Sequence, residues 1–179
     1  MTIVAPPPFR TRKALPPDAE ALVALVNSAY RGEGSRAGWT TEADLLGGQR
    51  TDAAKVLEMI EHPQGVVLLG LRDGVIEACV YLQRKEGRAY LGMLTVRPDL
   101  QNSGWGRRLL DQSEEWVREV WRLPLIEMTV ITKRTELIRW YERRGYQQTE
   151  KRLPFPYGDD RFGIPKVPDL EFVILEKTV

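Results

Sequence analysis

The chain has 179 residues, of which 42% are hydrophobic and 28% are charged, and its formal net charge is +1. This composition predicts one soluble globular domain over residues 1–179 and excludes a strong general attraction to nucleic acid or to a membrane surface. No apolar run reaches the roughly 20 residues of a membrane span, no secretory pattern opens the sequence, and the single cysteine, Cys79, excludes an internal disulfide, so a cytoplasmic protein is expected.

The first third of the chain predicts one strand and three helices. Met1–Pro8 is rich in proline and is expected to form a loose lead. Pro16, Pro17 and Asp18 are typical of a helix start, and the pair Gly47-Gly48 is typical of a helix end. The predicted elements are a strand over Phe9–Leu15, a helix over Ala19–Tyr30, a short helix capped by Thr40 or Thr41 and running through Leu46, and a helix capped by Thr51 or Asp52 and running to about Glu61.

The remainder of the chain alternates strands with two helices. Asp73-Gly74 is a strong hairpin signal, and Gly145 is expected to end a helix in the left-handed conformation. The stretch Pro154–Pro168 is a long loop, and loops of this length in compact domains are often functional. A helix joins two of the strands, Tyr90–Val96 and Leu125–Ile131, so these two are expected to be parallel. The other predicted elements are the strands Val66–Leu71, Val75–Arg84, Tyr146–Leu153 and Leu170–Glu176, a helix that begins near Gly104, directly after the glycine turn, and runs to about Trp121, and a helix over Thr135–Arg144.

A glycine turn joins the predicted central strand to the helix that follows it. Pro98 ends the strand, and Gln101-Asn102-Ser103-Gly104-Trp105-Gly106 leads directly into apolar residues at helical spacing. The first amides of a helix have no internal partner and lie at the positive end of its dipole, so this turn predicts an anion site. Arg107 and Arg108 add positive charge beside it. The alternative is a helix entry whose glycines serve packing alone.

Other phosphate and catalytic motifs fit less well. The dinucleotide fingerprint needs a third glycine, but Arg107, Arg108 and Leu109 follow the turn, and the Walker loop needs a Gly-Lys-Ser/Thr run that the chain lacks. His62 is the only histidine and Cys79 the only cysteine, so neither a zinc site nor a nucleophile–histidine pair is expected.

Two segments resemble the GNAT superfamily of N-acetyltransferases. The stretch Val96–Leu110, which reads VRPDLQNSGWGRRLL, is similar to the family's acyl-CoA-binding motif, Gln/Arg-x-x-Gly-x-Gly/Ala after a strand ending Val-x-Pro. The stretch Trp140–Tyr146, which reads WYERRGY, is similar to a second family element, in which an aromatic residue or leucine and a tyrosine precede Gly-Phe/Tyr. The resemblance extends over about Val66 to Gln148. One departure is Arg134, which stands seven residues before Tyr141, where the family often has asparagine.

The resemblance implies both a fold and a reaction. The fold is α/β, with a mixed, mostly antiparallel sheet, a central splayed pair of parallel strands and helices on both faces. The reaction is acetyl-CoA-dependent transfer of an acetyl group directly to a primary amine of a small molecule or a protein; a homodimer is left open as the assembly. Tyr141 is expected to donate to the leaving thiolate, because a phenol of pKa about 10 can donate to a thiolate of pKa about 8.5. The alternative is that Tyr141 packs in the core with Leu137 and Ile138, which share its helical face.

The resemblance also implies where acetyl-CoA is held. Backbone groups of the central strand are expected to bind the pantetheine amides, and the glycine turn is expected to bind the pyrophosphate. For Trp105, a packing role is favoured over a specific contact with the cofactor. The strand residues are Leu94, Thr95 and Val96, and the turn residues are Gln101, Asn102, Ser103, Gly104, Trp105, Gly106 and Arg107.

The acceptor pocket is expected near the end of the first helix. Arg36 could bind an acceptor carboxylate bidentately, whereas Asp159 and Asp160 could attract a cationic amine, and the sequence does not choose between them. The predicted pocket residues are Tyr30, Arg31, Arg36, Trp39 and Thr40, with the loop Phe155–Phe162.

The reaction needs a way to deprotonate the amine, since removing a proton from a lysine-type amine at pH 7 costs about 4.6 kcal/mol. The sequence does not identify the base. Base chemistry through a water is one alternative. The candidate carboxylates are Glu127, Glu33, Glu42 and Asp44.

Two other functions remain open at the level of sequence. A non-catalytic acyl-CoA-binding or regulatory module would keep the glycine turn without the chemistry. A nucleotide-binding domain could use the same turn for a different phosphate. Turnover on amines separates the enzyme from the module, and competition between CoA and ATP tests the nucleotide-binding domain.

Overall fold

The computed structural model describes residues 9–179, so the lead predicted over Met1–Pro8 lies outside the described part of the chain. No helix in residues 9–179 combines the length and hydropathy needed to cross a bilayer. The helices are α1 (Ala19–Tyr30), α2 (Ala53–Glu61), α3 (Trp105–Glu115) and α4 (Thr135–Glu142). The strands are β1 (Arg10–Lys13), β2 (Leu46–Gly47), β3 (Gly65–Arg72), β4 (Val75–Lys85), β5 (Arg88–Val96), β6 (Leu125–Ile131), β7 (Gln147–Pro154), β8 (Ile164–Pro165) and β9 (Glu171–Thr178).

Seven strands form one mixed sheet in the order β1-β3-β4-β5-β6-β9-β7. The neighbours β5 and β6 are parallel, and the other neighbouring pairs in this sheet are antiparallel. The connection between β5 and β6 runs through α3, because parallel neighbours need a crossover. The expected fold class, a mostly antiparallel sheet with one central parallel pair, is confirmed.

Alternating side chains of the central strands build two cores on opposite faces of the sheet. Val66 and Leu68 of β3 belong to the core that contains Leu109 of α3. Val67 and Leu69, the neighbours of Leu68 along the strand, belong to the core shared with α1 and α2. Each such side chain stabilises the fold by roughly 1.5–3 kcal/mol when fully buried. The helices therefore cover both faces, as expected.

The centre of the sheet opens where β5 and β6 separate. Their parallel register is limited to Ala89 with Ile126 and Tyr90 with Glu127. Further along, β5 carries a bulge in which two residues, beginning with Met93, lie opposite one residue of β4, and Met93 has a φ of 55°. A bulge bends its strand and increases the local twist. The two parallel strands consequently diverge toward their carboxyl ends and leave a gap.

The short helix predicted through Leu46 is wrong. Residues 41–48 form turns and the strand β2, which pairs with β8 in the loop after β7. A helix this short has little stability of its own. The contacts made by β2 therefore decide the conformation of this segment. The long loop is more structured than the sequence indicates, because it contains the 3₁₀ turn Asp160–Phe162 together with β8. The helix predicted to about Trp121 consists of α3 followed by a π-helical turn, Trp116–Val120.

Candidate active site

Two adjoining cavities lie in the gap between β5 and β6. The larger cavity, of about 400 Å³, is bounded by the end of α1, by residues 90–94 of β5, by residues 128–131 of β6 and by the loop after β7. The smaller cavity, of about 70 Å³, extends from the carboxyl end of β5 to the start of α3. The residues that line both cavities are Tyr30, Leu94, Arg134, Leu137 and Tyr141.

Tyr141 stands at the junction of the two cavities. Its side chain is 5% exposed and packs edge-to-face against Trp140 and Tyr146. Within residues 9–179 its hydroxyl has no hydrogen-bond partner, yet the oxygen is not sealed from the cavity space. Burial raises the pKa of Tyr141 well above its ordinary value of 10.0, so the phenol stays protonated at physiological pH. The ring of Tyr141 therefore packs in the core, while its hydroxyl remains available to donate a hydrogen bond.

Tyr30 differs from Tyr141 because its hydroxyl is already used. It donates a hydrogen bond of 2.9 Å to the carbonyl of Leu94, the second residue of the bulge. Burial raises the pKa of Tyr30, which keeps this donor protonated. The bond ties the end of α1 to the bulge and helps to hold the gap open.

The glycine turn at the start of α3 carries unpaired amides. Gly104 precedes the first residue of α3 with a φ of 86°, and Asn102 has a φ of 67°. Such values suit glycine, and asparagine tolerates them better than most residues. In the described part of the chain, five N–H groups of this turn donate to no carbonyl and to no side chain. They are those of Asn102, Gly104, Trp105, Gly106 and Arg107, whereas the N–H of Ser103 donates to the carbonyl of Leu100 at 3.3 Å.

The side chains of this turn have different surroundings. The Trp105 side chain is buried and packs edge-to-face against Phe9, with the ring centroids 4.7 Å apart. Its backbone N–H, and not its indole ring, is therefore the group that can contact a ligand at the turn. Arg107 is exposed and 3.9 Å from Asp111. Gly106 faces the smaller cavity, and a Cβ there would lie 3.5 Å from Trp140.

Gln101 bridges the smaller cavity. Its side-chain amide donates to the carbonyl of Val96 at 3.2 Å, and its oxygen accepts from the N–H of Trp39 at 3.0 Å. Trp39 in turn lies 6.2 Å from Trp140, centroid to centroid. The structure therefore brings Thr95, Val96 and Gln101 together with Trp39 and Thr40, two residues that the sequence assigned to the acceptor side.

A buried ion-pair network forms one wall of the larger cavity. Glu42 accepts hydrogen bonds from Arg31 on one oxygen and from Arg134 on the other, the latter at 2.9 Å. Burial acts to raise the pKa of Glu42, but the charges of Arg134 and Arg31 outweigh it and lower the pKa below 4.5. Arg134 also donates to Thr40 at 2.7 Å. Arg134, which stands where the GNAT family often has asparagine, thus belongs to this network.

Arg50 is a charged residue of the larger cavity that sequence reasoning missed. It is half-buried and lines the larger cavity, and its guanidinium lies over the ring of Tyr30, 5.4 Å from the centroid. The sequence offers only a weak signal for it, since it stands in a loop between a glycine pair and a helix cap, as many arginines do. Arg36, which was expected in the pocket, lies outside both cavities and forms ion pairs with Glu33 and Asp44.

None of the candidate bases is a free carboxylate facing either cavity. Glu42 lines the larger cavity but is held by two arginines. Glu33 and Asp44 are exposed partners of Arg36, and Glu127 forms a salt bridge of 2.9 Å with Arg88 at the opposite end of the β5–β6 pair. Among the four carboxylates that the sequence offered as bases, the structure therefore leaves none unpaired beside a cavity.

The loop expected at the acceptor side contributes apolar side chains and not its aspartates. Phe155, Pro156 and Phe162 line the larger cavity, but Asp159 and Asp160 do not. Hydrogen bonds from Arg161 lower the pKa of Asp159 to about 2, so this carboxylate is already paired. The structure thus gives the cavity an arginine-rich wall and an apolar wall.

Cys79 is expected to resist alkylation in the native protein. It is fully buried behind the bulge, where its thiol donates to the Met93 carbonyl at 3.8 Å, and burial raises its pKa to about 12. The thiolate that reacts with iodoacetamide is therefore scarce. Mass spectrometry should show labelling only after denaturation, and rapid labelling of the native chain would contradict the buried placement. An inert Cys79 also leaves assays of released thiol free of background.

The chain was compared with known sequences. Residues 20–146 match the model of the acetyltransferase (GNAT) family. A stretch of 76 residues is 41% identical to an amino-acid acetyltransferase of Ralstonia nicotianae, and this stretch makes up 41% of the chain and 16% of that enzyme. The chain therefore matches only a small part of the length of this relative.

Solved structures show the same fold. A ribosomal-protein-alanine N-acetyltransferase of Escherichia coli superposes with a TM-score of 0.71 at 14% identity, over 96% of this chain and 94% of its own. A Salmonella typhimurium protein described as an acetyltransferase, solved with its cofactor acetyl-CoA, gives a TM-score of 0.68 at 18% identity, over 95% and 93%. At these identities the likeness concerns the fold.

Proposed function

Because the chain belongs to the acetyltransferase (GNAT) family, we propose that it transfers an acetyl group from acetyl-CoA to the primary amine of a small molecule. One observation carries the proposal. The protonated hydroxyl of Tyr141, which has no partner among the described residues, lies where a cavity reaching the glycine turn meets a second, larger cavity. The first cavity suits the cofactor and the second suits the acceptor.

The residues of the smaller cavity and the turn fit coenzyme A. Five unpaired N–H groups at the positive end of α3 match the charge of a pyrophosphate. Val96 presents a carbonyl that now accepts from Gln101, a bond that the amides of the pantetheine arm can replace. Acetyl-CoA supplies the activated acetyl group. The turn from Gln101 to Arg107 would hold its phosphates, and Leu94, Thr95 and Val96 would hold the arm.

Two groups of this chain serve the transfer. Tyr141 stabilises the leaving thiolate by a hydrogen bond, a role that its raised pKa favours because the phenol keeps its proton. The amine attacks as the free base, and the two protons that an ammonium group loses in becoming an amide both leave through water. The Arg31–Glu42–Arg134 network, which has one excess positive charge, assists this loss, since nearby positive charge disfavours an ammonium group.

The size of the larger cavity favours a compact acceptor. Its volume of about 400 Å³ lies near the lower end of the range of roughly 300–1,000 Å³ that is usual for small-molecule sites. The Ralstonia relative is named for amino acids and the Escherichia coli structure for a ribosomal protein, so both kinds of amine occur in proteins similar to this one. Release of thiol from acetyl-CoA over a panel of small amines and peptide N-termini tests the proposal. Tight binding of CoA without turnover on any amine would favour the non-catalytic module.

The glycine turn provides a separate test of cofactor binding. A Cβ at Gly104 would meet nothing within 4 Å, but its φ of 86° is strained for other residues, so Gly104→Val should displace the turn amides without a clash. We expect calorimetry to show a loss of CoA affinity of about tenfold or more, since each amide contact with the dipole contributes roughly 0.3–1 kcal/mol.

A matched control exists in the β3–β4 hairpin. Gly74 has a φ of 80° and equally open surroundings, so Gly74→Val imposes a similar backbone strain far from the turn. This variant should lose similar thermal stability and keep its CoA affinity. Equal affinities for the two variants would place the phosphates away from Gly104.

A further inference from the structure

We propose that the acceptor is an amine that also carries a carboxylate, and that Arg50 binds this carboxylate in the larger cavity. The inference rests on the proposed acetyl transfer and specifies the class of acceptor for the same site. It depends on the charge balance of the cavity wall, on how Arg50 is held and on the apolar wall of the loop after β7.

The wall of the larger cavity has an excess of positive charge. Three guanidinium groups line it, those of Arg31, Arg50 and Arg134, together with one carboxylate, that of Glu42. Both oxygens of Glu42 are taken by Arg31 and Arg134. Glu136 is the other carboxylate near this wall, but it approaches Arg134 from outside the cavity, at 3.9 Å. An anion is therefore the ligand that completes the charge balance.

Arg50 is the guanidinium available for that anion. Among residues 9–179 its side chain has no salt bridge and no hydrogen bond, and it rests over the ring of Tyr30. Asn27 on α1 fixes the backbone beneath it: the Asn27 amide oxygen accepts from the N–H of Arg50 at 2.8 Å and from that of Thr51 at 3.1 Å. A guanidinium held in this way offers two parallel donors, which match the two oxygens of a carboxylate.

The burial of two arginines in this wall also favours an anionic ligand. The Nε atoms of Arg31 and Arg134 are sealed from solvent and have no hydrogen-bond partner in the described part of the chain. Both arginines are more than nine-tenths buried, so their charges act through a medium that screens them weakly. An acceptor with a second positive charge would be repelled here, whereas a carboxylate would be attracted.

The apolar wall of the larger cavity determines which side chain the acceptor can carry. Leu153, Phe155, Phe162 and Phe172 line the cavity together, and Leu153 and Phe162 are also exposed at its rim. They leave room for an apolar body but supply no charged partner for it. A compact molecule with an amine, a carboxylate and an apolar side chain fits these surfaces, and apolar α-amino acids have this chemistry.

Matched acceptors test the carboxylate directly. Thiol release from acetyl-CoA is measured for apolar α-amino acids, for the amide of each acid and for the amine that lacks the carboxyl group. We expect kcat/KM for the acids to exceed that for the amides and amines by about tenfold or more. Equal values across the three series would overturn the inference and leave the proposed acetyl transfer standing.

The Arg50→Gln variant tests the assigned residue. It should raise KM for the acids by about tenfold or more, with little change in kcat and no change for the amides, because charge-assisted pairing is what it removes. Arg84→Gln is the matched control, since Arg84 is an exposed arginine at the far end of β4 that lines neither cavity. A fall of equal size for acids and amides in Arg50→Gln would overturn the assignment, and melting curves verify that both variants fold.

Binding separates failure of this inference from failure of the proposed function. Calorimetry with the amino acids and without acetyl-CoA should show saturable binding that Arg50→Gln weakens. If binding follows this pattern and no amine is turned over, the acetyl transfer fails and the carboxylate site stands. If no acid is bound or turned over, the carboxylate site fails.

Discussion

Replacing Tyr141 with phenylalanine is expected to lower kcat for acetyl transfer by about 100- to 10,000-fold, the range usual for removal of a positioned proton donor. The KM for acetyl-CoA and the melting temperature should change little, because the hydroxyl has no partner in the described structure and the ring stays in place. Steady-state kinetics with an accepted amine and thermal unfolding measure these quantities. Retention of most of kcat would assign Tyr141 to packing alone.

Tyr146 offers a control beside it. The two rings lie 5.6 Å apart, but the Tyr146 hydroxyl donates to the buried carboxylate of Glu114 at 3.1 Å and lines neither cavity. Tyr146→Phe should therefore cost about 1.5–3 kcal/mol of stability, as expected for a hydrogen bond to a charged group, and leave kcat unchanged. If Tyr141→Phe lowers kcat and Tyr146→Phe lowers only the stability, the catalytic role of Tyr141 is distinguished from a packing role.

Replacing Glu42 with glutamine is expected to destabilise the fold by about 3–5 kcal/mol, because it leaves two buried guanidinium groups without their shared carboxylate. For a chain of this length that loss lowers the melting temperature by roughly 6–20 °C. Calorimetric unfolding near neutral pH measures it. Glu33→Gln is the control, since Glu33 is exposed beside Arg36 and a surface pair is worth at most about 1 kcal/mol. Equal melting temperatures for the two variants would contradict the buried network.

The buried Glu42 carboxylate also predicts how the stability of the fold depends on pH. The pKa of Glu42 is lower in the folded chain than its ordinary value of 4.5, so the unfolded chain binds the proton more readily. This stabilising contribution is complete above about pH 4.5 and disappears as the pH falls through the lower, folded value. The wild type should therefore lose its advantage over Glu42→Gln in acid, and a constant difference down to low pH would contradict this placement of Glu42.

Local chemistry in the sequence determines most of the fold. The hairpin at Asp73-Gly74, the Asp52 cap of α2 and the left-handed Gly145 all occur as predicted, because each depends on residues within a few positions of one another. The helix between β5 and β6 likewise indicates that these strands are parallel, as they are in the structure. The glycine turn could be identified for the same reason, since the free amides of a helix start depend on local backbone geometry.

The tertiary structure alone decides which charged groups form the larger cavity. Arg134 and Glu42 are 92 positions apart in the chain, and Arg31 reaches the carbonyl of Phe162 across 131 positions. No local pattern distinguishes them from Arg36, which the sequence also assigned to the pocket but which lies outside both cavities. The segment through Leu46 was mispredicted for a related reason, because pairing with β8 outweighs a weak local preference. Periodicity and turn chemistry act over a few residues, whereas the partner of a buried charge is fixed only when distant segments pack together.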